Sequence, residues 1–222
     1  MVTTMDGLHN LTIEYIQHAL TQPLPGITGQ IKMAPQPVNG QVNRWQTPAE
    51  CREASVLLLL YPHHTTPNKI DLHLTLIRRH QYPGVHSGQI SLPGGRREAG
   101  ESLQETALRE TTEEIGVLPD MLRLMGTLTS LYTPPSNFCI YPYVAFSLQR
   151  PHFQTNPREV AELIEVPLQL LADPTIQKQE VWYFEKYGDR QIPFFEVFGH
   201  KVWGATAMIL SEFLTLLTQP DD

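Results

Sequence analysis

The sequence predicts an α+β fold, or a sandwich, in preference to a doubly wound sheet, and three observations point there. Strand-like and helix-like segments mix along the chain without the regular βαβ alternation that a doubly wound sheet requires. The centre opens with two apolar runs, "ASVLLLLY" and "DLHLTLIRR", separated by turn-prone residues. With 222 residues, 41% of them hydrophobic, the chain is long and apolar enough to bury the core of one large or decorated domain.

The elements follow in chain order. Leu8, Leu11, Tyr15, Ile16, Ala19 and Leu20 recur at helical spacing, so an amphipathic helix is expected to end before Pro23. Its apolar stripe suits packing on its own domain or a homodimer contact equally well. Residues 22–48 carry Pro23, Pro25, Pro35, Pro37 and Pro48 with Gly26, Gly29 and Gly40, which reads as an extended connector on the surface. Too few residues precede it to build a core of their own, so 1–50 should pack on a main domain spanning 51–222. The runs at 54–61 and 71–79 form a hairpin, because Leu72, Leu74 and Leu76 alternate with His73, Thr75 and Ile77. His63 and His64 then fall in its turn. Further strands are expected at 122–132, 138–148, 179–185 and 191–203, and helices at about 102–115, 158–171 and 205–217.

Composition excludes several partners. A formal charge of −7 argues against general affinity for nucleic acid or an anionic membrane, since binding to phosphate surfaces needs clustered Lys and Arg. Cys51 and Cys139 stand far apart without CxxC spacing, so they read as buried thiols in a reducing compartment. The longest apolar run is far too short for a bilayer, and the N-terminus lacks a basic region followed by an apolar one, which suits a cytoplasmic protein.

The helix at 102–115 is the informative one. Ser102 and Glu105 make a capping box, and Gly116 stands where a left-handed C-cap is expected. Leu103, Ala107, Thr111 and Ile115 share one face, and Glu110, Glu113 and Glu114 crowd the arc beside it. Like charges at this spacing cost about 0.2 to 0.5 kcal/mol per pair. Hard oxygen ligands in a cluster suit Mg²⁺ or Mn²⁺, which keep further positions for water and phosphate, and a "PGG" turn just upstream lets backbone approach closely.

Residues 95–117 resemble the Nudix box, G-x(5)-E-x(7)-R-E-U-x-E-E-x-G-U with U aliphatic. Gly95, Glu101, Arg109, Glu110, Glu113, Glu114, Gly116 and Val117 match it, and only Thr111 departs, on the packing face. The resemblance implies an α/β/α sandwich around a mixed β-sheet, with the N-terminal helix added, and hydrolysis of a nucleoside diphosphate linked to another group. It implies that Glu110, Glu113 and Glu114, with the Gly95 carbonyl, hold Mg²⁺ or Mn²⁺, and that Glu101 and Arg109 orient them. Water then attacks phosphorus with metal assistance, and its proton passes to Glu113, Glu114 or an acid elsewhere. Glu159, Glu162 and Glu165 are the outside candidates, with Glu159 preferred; their plainer reading is an ordinary helix surface.

The stretch "LTLIRRHQYPGVHSGQISLPGG" is similar to the signature of the coenzyme A diphosphatase subgroup through Arg78, His86, Gly88, Gln89, Ile90, Pro93, Gly94 and Gly95, with Arg79 and Leu92 as departures. "HKVWGATAMIL" at 200–210 resembles the subgroup's ending, so the likeness extends over about 52–217. The implied reaction cuts CoA or acyl-CoA to 3′,5′-ADP and 4′-phosphopantetheine. Phosphates on an acidic protein need local cations, and Arg78, Arg79, Arg96 and Arg97 are candidates, each with a plainer reading as a surface arginine, while His86 and Gln89 serve either as further ligand contacts or as supports of the loop. NADH or ADP-ribose as substrate, or a Nudix module that binds without turnover, are the alternatives.

Overall fold

A computed structural model describes residues 11–38, 48, 50–66, 69–81 and 86–219. Its centre is a mixed eight-stranded sheet. Strand β2 (Arg52–Thr66) pairs antiparallel with β3 (Lys69–Arg79) and parallel with β8 (Phe138–Phe146), in register from Arg52 opposite Phe138 to Leu60 opposite Phe146. Strand β4 (Ile90–Ser91) adds to β3, β5 (Gly94–Arg96) to β2, and β6 (Arg123–Thr127) and β7 (Leu131–Thr133) to β8. The hairpin expected from the sequence is present, but its strands run further. His63 faces Asp71 and His64 faces Ile70, so both histidines belong to a strand and not to a turn.

Burial on both faces explains the run "LLLLY". Leu57, Leu59 and Tyr61 point to one side, where they pack with Ala107 and Ile115 of α3 (Leu103–Ile115). Leu58 and Leu60 point to the other, against Phe213, Leu210 and Ala207 of α5 (Gly204–Leu217). Removing a side chain of this size from water contributes about 1.5 to 3 kcal/mol, so a strand buried on both faces ties two helices to one sheet. Helix, sheet and helix make an α+β sandwich of three layers, the arrangement that the family resemblance implies.

A second, antiparallel sheet flanks α5: β10 (Gln177–Phe184), β11 (Gly188–Val197) and β12 (His200–Trp203), with the short β1 (Gln36–Pro37) on the other edge of β11. The single strand expected at 191–203 is thus two strands, turned at Phe198 and Gly199, both with positive φ.

Three further expectations are corrected. Residues 158–171 are not one helix: β9 (Val160–Pro167) pairs antiparallel with β3, and only α4 (Leu168–Ala172) is helical. Helix-forming Glu, Ala and Leu yield to the open edge of β3, and the buried set Val160, Ile164 and Val166 has the even spacing of a strand. The Pro-rich connector is not simply extended surface, since it folds into α2 (Ile27–Gln30) and a 3₁₀ turn and buries Gln30, Met33 and Ala34. Cys51 and Cys139 are not free thiols. The parallel pairing of β2 with β8 brings together residues separated by 88 positions, with Cα atoms 5.7 Å apart, and a disulfide joins them. Such a bond suits an oxidising setting and removes the ground for expecting a reducing compartment.

The N-terminal helix is α1 (Ile13–Ala19), capped by the Thr12 hydroxyl; Leu8 lies outside the described residues. Ile16 is fully buried in the same core as α5, and the Tyr15 hydroxyl donates to the Leu217 carbonyl at 3.0 Å. Among the described residues, no helix is long and apolar enough to cross a membrane.

Candidate active site

The "PGG" turn lies flat on β2, with Gly94 opposite Val56 and Gly95 opposite Ser55. Gly94 has φ +150°, and a Cβ there would stand 2.3 Å from the Ser55 carbonyl oxygen and 2.6 Å from Val56 Cα, backbone that cannot give way. A Cβ on Gly95 would stand 2.4 Å from the Glu110 carboxylate. Two glycines therefore let the turn press between β2 and the acidic face of α3.

Helix α3 begins at the capping box read from the sequence, with the Ser102 hydroxyl accepting from Glu105 N–H, and ends on Gly116 in the left-handed region. Ala107, Thr111 and Ile115 are buried as expected, and Leu103 is half-buried. The Thr111 hydroxyl, the one departure from the motif, donates to the Ala107 carbonyl at 2.7 Å, so its polarity is satisfied within the helix.

The carboxylates have unlike surroundings. Glu114 is buried, 2% exposed; its Oε2 accepts from Gly94 N–H at 2.8 Å, and the Arg79 guanidinium stands 3.8 Å from its Oε1. Burial pushes its pKa up to about 7 against the pull of Arg79 and the Gly94 N–H, and the charges of Glu110 and Glu159 add to the rise. Burial likewise raises Glu110, opposed by Arg109 and helped by Glu113 and Glu159. Glu113 is exposed.

Arg109 organises the set. Its Nε and Nη2 hold Glu101 at 2.5 and 3.2 Å, its Nη1 reaches Glu110 at 3.0 Å and Glu113 at 2.9 Å, and Nη2 also donates to the Arg96 carbonyl. The Arg109 bond, with help from Glu98 N–H, holds Glu101 down at about 2. With Arg109 between Glu110 and Glu113, and Glu114 turned to Gly94, no group of three His, Cys, Asp or Glu among the described residues is already gathered around a cation position. The donors nevertheless fit a hard divalent ion in kind: clustered carboxylate oxygens beside a glycine whose missing Cβ leaves backbone against Glu110.

The turn opens onto a cavity of about 780 Å³ between the two sheets and the start of α5, within the usual size for small-molecule sites. Gly95, Arg79, His86 and Gln89 line it together. The His86 ring nitrogen Nδ1 lies 3.0 Å from Gln89 Oε1, and Arg79 donates to the Gly94 carbonyl at 2.9 Å. Arg78 is not in the lining; it pairs with Glu162 at 2.8 Å. Arg97 is bound to Glu53 and is likewise outside it. Of the acids beyond the motif, Glu162 also meets His200, while Glu165 holds Arg150 at 2.7 and 2.8 Å and accepts from the Tyr61 hydroxyl. Glu159 alone is felt at both Glu110 and Glu114; it is exposed and accepts from the Asn156 amide at 3.0 Å.

Sequence reasoning missed part of this wall. Ser91, whose buried hydroxyl has no partner among the described residues, lines the cavity, as do Pro35 and Pro37 of the connector and Lys186 and Arg190 of the β10–β11 hairpin. The turn "EKYGDR" between two strand candidates, which carries both cations, was the available signal.

A family model described as the NUDIX domain matches residues 41–185. The chain is 36% identical over 148 residues to a probable nudix hydrolase of Schizosaccharomyces pombe, covering 64% of this chain and 49% of that protein. It is 31% identical over 175 residues to the Nudix hydrolase NudL of Pectobacterium atrosepticum, with coverage of 72% and 80%. To the mitochondrial coenzyme A diphosphatase NUDT8 of Homo sapiens it is 33% identical over 149 residues, with coverage of 65% and 62%. It thus spans about half of the yeast relative and under two thirds of the human one. Among solved structures, a Nudix hydrolase from M. smegmatis, RenU, shares 25% identity over 55% of this chain and 74% of its own, with a TM-score of 0.45.

Proposed function

This chain belongs to the Nudix family, and from that premise we propose that it hydrolyses the diphosphate of coenzyme A or a CoA derivative, releasing 3′,5′-ADP and 4′-phosphopantetheine. The observation that carries the reading is the Gly94–Gly95 pair, which touches Glu110 and Glu114 and also lines an apolar-walled cavity together with Arg79, His86 and Gln89. The similarity to the human coenzyme A diphosphatase supports the substrate, and the all-oxygen donor set supports Mg²⁺ or Mn²⁺ as cofactor.

In this reading Glu110, Glu113, Glu114 and the Gly95 carbonyl hold the metal, which when bound neutralises diphosphate charge and lowers the pKa of water. The chain's own groups do the rest. Arg109 fixes Glu110 and Glu113 through a guanidinium anchored on Glu101. Gly94 N–H fixes the Glu114 rotamer from the opposite side. Arg79 meets the diphosphate with its guanidinium oriented by a hydrogen bond to the Gly94 carbonyl and by the charge of Glu114 3.8 Å away, and His86 and Gln89 brace each other as donors to the leaving group. Glu159 takes the proton of the attacking water: it is exposed, lies in the field of Glu110 and Glu114, and carries only an amide donor, whereas Glu113 is committed to Arg109.

The test is hydrolysis of CoA, acetyl-CoA, NADH and ADP-ribose with Mg²⁺ or Mn²⁺, the products resolved by mass spectrometry. Release of 4′-phosphopantetheine with the highest kcat/KM is expected. Preference for NADH or ADP-ribose would keep the chemistry and sink the substrate; binding without turnover would sink both. Glu159→Gln should cost about 10² or more in kcat with little change in KM. A larger loss in Glu113→Gln would move the base there.

A further inference from the structure

We propose that Lys186 and Arg190 bind a phosphate that the substrate carries apart from its diphosphate, the 3′-phosphate in a CoA-type molecule, and so select such substrates over plain nucleoside diphosphates. The inference rests on the CoA reading above and names residues outside its catalytic set.

The four-stranded sheet carries four cations, and their pairing divides them by position. Lys178 pairs with Glu196 and Lys201 with Glu180, and neither lysine lines the cavity. Lys186 and Arg190 both line it, and among the described residues neither is in a salt bridge. Arg190 donates only to the Asp189 carbonyl, and the Lys186 ammonium lies 5.4 Å from the Tyr187 ring. Glu185 shares the lining without bonding either.

Position and surroundings suit an anion. Arg190 stands on the middle strand, opposite Trp182 on one side and Pro37 on the other, so its backbone is fixed. Phe184 and Trp203 wall the cavity beside it, with ring centroids 6.1 Å apart. Apolar walls reduce screening and strengthen a guanidinium–phosphate pair relative to open solvent. Of the arginines nearer the glycine motif, Arg78 is held by Glu162, Arg97 by Glu53, and Arg79 by Gly94 and Glu114, while Arg96 lines the cavity on β5, next to Gly95 and at the diphosphate end.

The experiment compares kcat/KM for CoA and 3′-dephospho-CoA in the wild type, in the double variant Lys186→Ala/Arg190→Ala, in the charge-preserving Lys186→Arg/Arg190→Lys, and in Lys178→Ala. The wild type should prefer CoA by about 10-fold or more, the range of one or two charged hydrogen bonds. That ratio should fall to about one in the double variant, recover in the charge-preserving one and stay put in Lys178→Ala. A wild-type ratio near one, or a double variant that keeps the preference or loses both substrates equally, overturns the proposal. If the wild type cleaves neither compound, the CoA reading fails on its own. Calorimetry then decides the phosphate site: adenosine 3′,5′-bisphosphate should bind more tightly than 5′-AMP to the wild type alone, and equal binding overturns it.

Discussion

The Glu114 carboxylate accepts a hydrogen bond from the Gly94 N–H at 2.8 Å, joining positions twenty residues apart in the motif region. This bond locks the turn to the helix, and a Cβ at either glycine would strike what the lock holds. Gly94→Ala should destabilise by about 1 to 3 kcal/mol or prevent folding, since Ser55 and Val56 meet it with backbone. Gly95→Ala meets first the movable Glu110 carboxylate, so it should fold and lose most activity. Denaturant unfolding beside kcat separates the two, and an active Gly95→Ala enzyme would refute the close approach.

The raised pKa of Glu114 has a stability consequence in the metal-free protein. A carboxyl that holds its proton more tightly when folded makes the native state bind more protons than the unfolded one between roughly pH 4.3 and 7. Folding stability from this group therefore falls as pH rises through that window, by up to about 1.4 kcal/mol per pH unit. Thermal unfolding in chelator from pH 4.5 to 7.5 should show the wild type losing Tm relative to Glu114→Gln, and parallel curves would contradict it. Glu101 acts oppositely: its depressed pKa gives stability above its unfolded value that is lost only as pH falls toward about 2.

Glu212 is fully buried on α5 and accepts from Gly26 N–H at 3.2 Å, Thr129 N–H at 3.1 Å and the Gln30 amide at 2.8 Å. Glu212→Ala would strand three donors, at a cost of about 3 kcal/mol or more. The N-terminal segment should then become protease-sensitive before the rest unfolds, as limited proteolysis would read.

Reduction of the Cys51–Cys139 bond, or Cys51→Ser, should lower stability by about 2 to 4 kcal/mol, because the bond closes a long loop in the unfolded chain. A Tm unaffected by reductant would show that the two cysteines are not bonded in solution.

The box helix was legible in full: capping box, left-handed Gly116, buried Ala107 and Ile115 and the adjoining acids all depend on residues within one or two turns of each other. Residues 158–171 were not, because "EVAELIEV" satisfies helix propensity, and what makes it a strand is the edge of β3 nearly ninety residues earlier in the chain. The cysteines were misread for the same reason: their approach follows from the pairing of β2 with β8.

The sequence by itself determined the α+β class, the glycine-helix motif and the identity of the acids, since periodicity, caps and short motifs act over a few residues, while the three layers were implied by the resemblance to the Nudix family. Only the tertiary structure decided which charges are free. It spent Arg78 on Glu162 and Arg97 on Glu53, buried Glu114 under the glycine turn, and carried Lys186 and Arg190 from a distant hairpin to the cavity wall. Whether a charged side chain is paired, buried or available depends on neighbours brought together by strand pairing and sheet packing, which spacing along the chain does not encode.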